Sequence, residues 1–148
     1  MKLELVSGEG HNMRLLSYGP IDDIAPWQDI SMEVLKVMEN SPKCQLMSRD
    51  LFLLFDESEN KYHVARSFTG NVTHLDTPFH VIDTVRDTLY SLPIELETLY
   101  NNQKLLSQVK EFKAALSEKS HKAHKILIKL TPSHSTLEVR MENYLPFE

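Results

Sequence analysis

Residues 136–143 read Thr-Leu-Glu-Val-Arg-Met-Glu-Asn, so Leu137, Val139 and Met141 alternate with Glu138, Arg140 and Glu142. A period of two marks a strand with one buried and one wet face. Its partner is the apolar run "HKILIKL" just upstream, and "TPSHS" supplies the turn between them. Two further pairs of strand-like runs precede it. "KLELV" and "MRLLSY" are separated by "SGEGHN", whose two glycines permit a tight turn, and "LFLLFD" and "KYHVARSF" are separated by the polar "ESEN". Leu51 to Phe55 is an unbroken apolar run, which suits a strand buried on both faces.

Between these pairs the period lengthens to that of a helix. In "WQDISMEVLKVMEN", Trp27, Ile30, Val34 and Met38 recur at three- and four-residue steps and predict one buried stripe. The helix opens after Pro26 and ends near Ser41-Pro42, because a residue before proline resists the helical region. A second helix is expected from Pro78, with Ile82, Val85 and Leu89 on one face. A third is expected from about Pro93 towards Ser120, with Leu105, Val109, Phe112 and Leu116 aligned and a break or kink at Asn101-Asn102. The order is ββα-ββ-αα-ββ: an α+β fold with a mostly antiparallel sheet of three hairpins, packed by about three helices. No internal repeat, low-complexity tract or Gly/Ser linker interrupts the chain, so residues 1–148 read as a single domain.

Composition narrows the function classes. Hydrophobic residues make up 41% and charged residues 25%, the balance of a folded globular chain. No apolar run approaches the roughly 20 residues of a membrane span. The N-terminus reaches Glu4 and a turn before a signal-peptide core forms, so a cytoplasmic location is expected. One cysteine, Cys44, cannot form an internal disulfide, and "SPKCQLM" gives it no histidine partner. The net charge of −5 is uneven: residues 1–100 carry 8 Lys and Arg against 16 Asp and Glu, and residues 101–148 carry 8 against 5. Nucleic acid is therefore an unfavoured partner, since phosphate neutralisation needs a broad cationic surface. The basic stretch of Lys119, Lys122, Lys125 and Lys129, with His121 and His124, reads as a solvated helix end or as a grip for an acidic group.

The densest cluster of chemistry-bearing side chains is "THLDTPFH", residues 73–80. Asp76 or Thr77 before Pro78 is a helix start: the acid or hydroxyl caps amides, and proline fits the first turn. The same residues resemble part of the metal-dependent cyclase and kynurenine-formamidase motif, His-x-Gly-Thr-His-x-Asp-x-Pro-x-His, through Thr73, His74, Asp76, Pro78 and His80. The resemblance implies a hydrolase or cyclase with His74 and Asp76 as ligands to zinc or manganese and His80 as the base. Gly70 and Val72 stand where that motif has its first histidine and its glycine.

No Gly-x-Ser-x-Gly, Walker or Cys-x-x-Cys motif occurs, and four glycines in all leave little for a phosphate-cradling loop. The favoured expectation is a non-enzymatic protein-binding module of the adaptor, secretion-chaperone or toxin-neutralising immunity kind, without a cofactor. The acids around the first helix, Asp22, Asp23, Asp29 and Glu33, are its candidate face for a partner with a basic surface. The metal-dependent enzyme is the alternative. The apolar C-terminal "NYLPFE" reads as a lid folded on the core or as a short docking segment.

Overall fold

A computed structural model describes residues 4–6, 11–56, 58–73, 75–86, 89–119 and 125–146. Among these residues, eight strand segments form one sheet, paired antiparallel throughout: β1 (Glu4–Val6), β2 (His11–Ile21), β3 (Cys44–Asp56), β4 (Lys61–Gly70), β5 (Phe79–Arg86), β6 (Leu89–Pro93), β7 (Lys125–Ser133) and β8 (Thr136–Pro146). Two α-helices accompany it, α1 (Trp27–Glu39) and α2 (Asn102–Lys119), and a short 3-10 turn spans Leu96–Tyr100. The fold is α+β and sheet-rich, as the periodicities require.

The sheet closes on itself. Following hydrogen-bonded neighbours from β2 leads through β4, β3, β7, β8 and β5 and back to β2. Every strand of this ring contributes to one apolar cluster: Met13 and Leu15, Ala65, Phe52 and Leu54, Leu127, Tyr144, and the partly buried Ile82. That cluster is the inside of a barrel, packed with side chains. Polar residues on the same inward phase sit beyond the plug. Asp50 and Lys129 approach to 3.8 Å, the Ser48 and Ser67 hydroxyls to 3.2 Å, and Thr84 Oγ1 donates to the Met13 carbonyl at 3.3 Å.

The outward face of the barrel is covered by the helices. The α2 stripe of Leu105, Val109, Phe112 and Leu116 is buried against β3, β7 and β8, including Leu53, Ile128 and Met141. Val34 and Met38 of α1 pack on Leu16 and Phe68 of β2 and β4. Both sets are those the helical spacing selects.

Several expectations change. "KLELV" and "MRLLSY" are not a hairpin: β1 pairs with β6, and β2 with β5 and β4. With Val6 opposite Leu89 and His11 opposite Arg86, β1 continues β2 alongside β6, which continues β5. The helix expected from Pro78 is absent, and β5 and β6 stand in its place. Residues 79–85, Phe-His-Val-Ile-Asp-Thr-Val, are rich in β-branched side chains whose stiffness favours strand. Their true period is two, with Ile82 and the fully buried Thr84 inward and Phe79 and Val81 packed under α1. The third helix does break where Asn101-Asn102 leads one to expect, into a 3-10 turn and α2 divided at Asn101, whose backbone is extended and whose Oδ1 accepts the Lys104 N–H at 3.1 Å. The face of Glu138, Arg140 and Glu142 is not uniformly wet, because Glu142 points into the barrel and is buried.

Two halves share one plan, which no sequence period announces. Strand, helix, strand and strand (β2, α1, β3, β4) are followed by the same series (β5 with β6, α2, β7, β8). In each half the last strand pairs with the other two, and β2–β5 and β3–β7 join the halves. A local echo survives ahead of each helix, where Pro20-Ile21 answers Pro93-Ile94.

Candidate binding groove and an inward histidine pair

Where the two halves meet, a groove of about 270 Å³ opens between the first turns of α1 and the end of the β7–β8 hairpin. Leu51 and Leu130 lie in its lining, with Leu137, Pro132 and Met32 around them. Trp27 forms one wall and is held in place. Its ring meets that of Tyr100 at a centroid distance of 5.9 Å, and Tyr100 Oη donates to Gln28 Oε1 at 3.0 Å. The approach to α1 is fastened to the start of α2 as well. Ile24 N donates to Asn102 Oδ1 at 2.9 Å, and Asn102 Nδ2 donates to Asp23 Oδ1 at 3.3 Å.

Two arginines face this apolar groove. Arg49 is exposed in the bulge between Leu46 and Leu51, where four residues of β3 stand against one, Ser67, on β4. Arg66 occupies an outward position of β4 between the buried Val64 and Phe68 and is half-buried itself. Its Nε donates to the Ser31 carbonyl at 3.2 Å. Burial pushes the guanidinium below its ordinary value, since a charged group loses hydration there. Met32 at the rim is 51% exposed, an unusual state for a large apolar side chain.

The inward face of the barrel holds a second constellation. His63 on β4 and His80 on β5 flank β2, and their rings meet edge to face at 5.1 Å. Ser17, directly opposite His80, is fully buried, and neither its Oγ nor His63 Nδ1 has a hydrogen-bond partner among the described residues. Gly19 makes room for the His63 ring, for a Cβ there would stand 2.6 Å from His63 Nδ1 and 2.8 Å from the Tyr62 carbonyl. Burial holds His63 below the usual histidine range, and His80 and Lys125 push the same way against Asp56 and Glu59. Tyr144, inward on β8, is pushed up to about 12 by burial and by Asp56. Asp56 itself lies below the usual carboxylate range, chiefly through the Ser58 hydroxyl that donates to it at 2.7 Å.

The residues singled out from sequence are dispersed. His80 lies in this inward pair, beside a histidine that had attracted no attention. Asp76 is exposed in the turn before β5, where its carbonyl accepts the Phe79 N–H at 2.8 Å. His74 falls outside the described residues, as do His121, Lys122 and His124. Among the described residues, no three His, Cys, Asp or Glu side chains gather at one point. Asp22 reaches Lys61 at 3.8 Å, and Asp23 is engaged with Ala25 N and Asn102. Asp29 and Glu33 are exposed on α1, Glu33 beside Lys36 at 3.4 Å. Cys44 is half-buried, and burial raises its thiol pKa, the opposite of activation. "NYLPFE" is neither lid nor free tail over its described part. Tyr144 plugs the barrel, and Leu145 and Pro146 pair with Val85 and Thr84 to close it.

Arg66 is legible in the sequence. In "KYHVARSF" it stands in phase with Tyr62, Val64 and Phe68, a charge on an otherwise apolar face. The helical stripe places Trp27 in the core but does not mark it as a wall of the groove.

The described residues form a closed antiparallel barrel covered by α1 and α2. Among the described residues, no helix is long and apolar enough to cross a membrane. Comparison of the chain with models of protein families, with curated proteins and with solved structures finds no match.

Proposed function

We propose that the protein is a non-catalytic binding module that recognises a protein partner through the groove between α1 and the β7–β8 hairpin. The carrying observation is the groove's make-up: an apolar lining of Leu51, Leu130 and Trp27, an exposed Met32 at the rim, and two arginines beside them. Interfaces concentrate their energy in such places, where an aromatic or arginine anchor sits on a desolvated apolar floor. The groove is also small and open. Its 270 Å³ lies just below the roughly 300–1,000 Å³ of pockets that enclose a whole small molecule, and it suits one anchoring side chain. The barrel interior offers no competing site around its centre, because Phe52, Leu54, Leu127 and Tyr144 fill it. Asp29, exposed on the same helix, is the part of the acidic face left open to basic residues of the partner, while Glu33 is shared with Lys36.

The test is retention of a cellular partner on the immobilised chain, compared with Met32→Lys and Arg49→Glu. Both sites are exposed, so both variants keep the fold. The expected result is one defined protein retained by the parent chain and lost from both variants. Equal retention by all three, or retention by none, rejects the reading.

A further inference from the structure

Resting on that docking reading, the groove carries enough chemistry to specify what it takes. We propose that its occupant is an apolar side chain of the partner followed directly by an acidic residue, the apolar group seated against Met32, Pro132 and Leu137 over the buried floor of Trp27, Leu51 and Leu130, and the carboxylate received by Arg49 and Arg66.

The argument begins with Arg66. An outward position on β4 whose neighbours in phase are 0% and 1% exposed is built for an apolar residue, yet it holds a guanidinium. Its Nε contact with the Ser31 carbonyl is the one polar contact it makes among the described residues. Arg49 has no hydrogen bond or ion pair among them. Removing part of a guanidinium's hydration without an anion to replace it is unfavourable, so a carboxylate arriving there restores what burial took. Arginine suits the task, since its planar fork meets both oxygens of a carboxylate.

The rest of the molecule sharpens the point. The chain carries a net charge of −5, so its overall field disfavours an acidic segment, and preference for one arises locally from these two side chains. The apolar lining supplies the second half of the signature. A lone carboxylate leaves the open apolar surface of Met32, Pro132 and Leu137 uncovered, and a lone apolar group leaves both arginines without an anion. Adjacent residues on one extended segment satisfy the two together.

Trp27 is the chain's single tryptophan and a wall of the groove, so its emission reports occupancy directly. The probes are three capped dipeptides titrated into the full chain: acetyl-Leu-Glu-amide, acetyl-Leu-Gln-amide and acetyl-Leu-Lys-amide. The expected result is a saturable change with the glutamate peptide, at an affinity about tenfold above those of the other two, in keeping with a charge-assisted hydrogen bond. Arg66→Gln should bring the glutamate peptide down to the glutamine level. Arg49→Gln, at an exposed position, should weaken it in the same direction even if Arg66→Gln fails to fold. Equal affinity for all three peptides, an unchanged affinity in Arg49→Gln, or no saturable change with any peptide overturns the proposal. Retention of a cellular partner is read separately. A groove that binds all three peptides alike and still retains its partner loses only its acid preference, and one that selects glutamate but retains nothing loses only the protein partner.

Discussion

His63 is the residue whose setting translates most directly into a measurable pH dependence. Its ring is desolvated inside the barrel mouth, its Nδ1 has no hydrogen-bond partner among the described residues, and its pKa is lowered. Between that lowered value and the ordinary histidine value of about 6.5, the unfolded chain binds the more protons. Stability therefore rises with pH through that window, is fully present above about 6.5, and is lost as pH falls below it. Denaturant midpoints at pH 7.5 and 5.5 should separate further in the parent chain than in His63→Asn. Identical separations contradict the assignment. Gly70 is a second sensitive position. Its backbone is left-handed at φ 89°, and a Cβ would stand 1.8 Å from the Lys43 carbonyl. Gly70→Ala should cost more than about 1 kcal/mol, because both the conformation and the space are closed to it. A midpoint within error of the parent would show that the Lys43 turn yields freely.

At the scale of elements, α2 holds the outer core and α1 carries the proposed recognition surface. Phe112 is fully buried at the centre of the α2 stripe. Phe112→Ala should cost about 3–5 kcal/mol in equilibrium unfolding. Met32→Ala, on the exposed rim of α1, should stay within about 0.5 kcal/mol while weakening partner retention. These helices were readable because a three-to-four residue period persists over several turns, from Trp27 to Met38 and from Leu105 to Leu116. The β3–β4 and β7–β8 hairpins were readable because a polar turn joins each pair of runs. The segment after Pro78 was not, and the reason is specific. Ile82 and Val85 are three apart and mimic a helical face, and Asp76, Thr77 and Pro78 resemble a cap, so two local signals agreed on the wrong element. The register of β5 against β2 decides the matter, and it is a long-range fact. The groove escaped for the same cause: Trp27, Leu51, Arg66 and Leu130 come from four elements and meet only after the sheet closes.

At the scale of the whole molecule, the fold depends on closure by its last strand. The end of β8 supplies Tyr144 to the barrel plug and pairs with β5, completing the ring that β7 enters from the other side. Deleting residues 144–148 should cost at least about 3 kcal/mol, the cost of losing one large buried aromatic side chain. It should also expose to hydrogen exchange the β5 amides that point towards β8, one of the successive Thr84 and Val85 N–H groups among them, because neighbouring strand amides face opposite sides and the other faces β2. Unchanged protection at those amides would show that the ring is held closed without β8. The doubled strand-helix-strand-strand plan places Trp27 and Tyr100 together at the junction of the halves, and the groove lies beside them. The proposed recognition site thus falls at the seam between two similar units, where neither half alone completes the groove.

The most direct measurement of that assignment is site-specific photo-crosslinking in cells. A photoreactive side chain is placed at Met32 on the groove rim and, in a separate chain, at Glu118, exposed near the end of α2. The account predicts a defined protein adduct from position 32 and none from position 118. No adduct at position 32, or the same adduct from both positions, would contradict it.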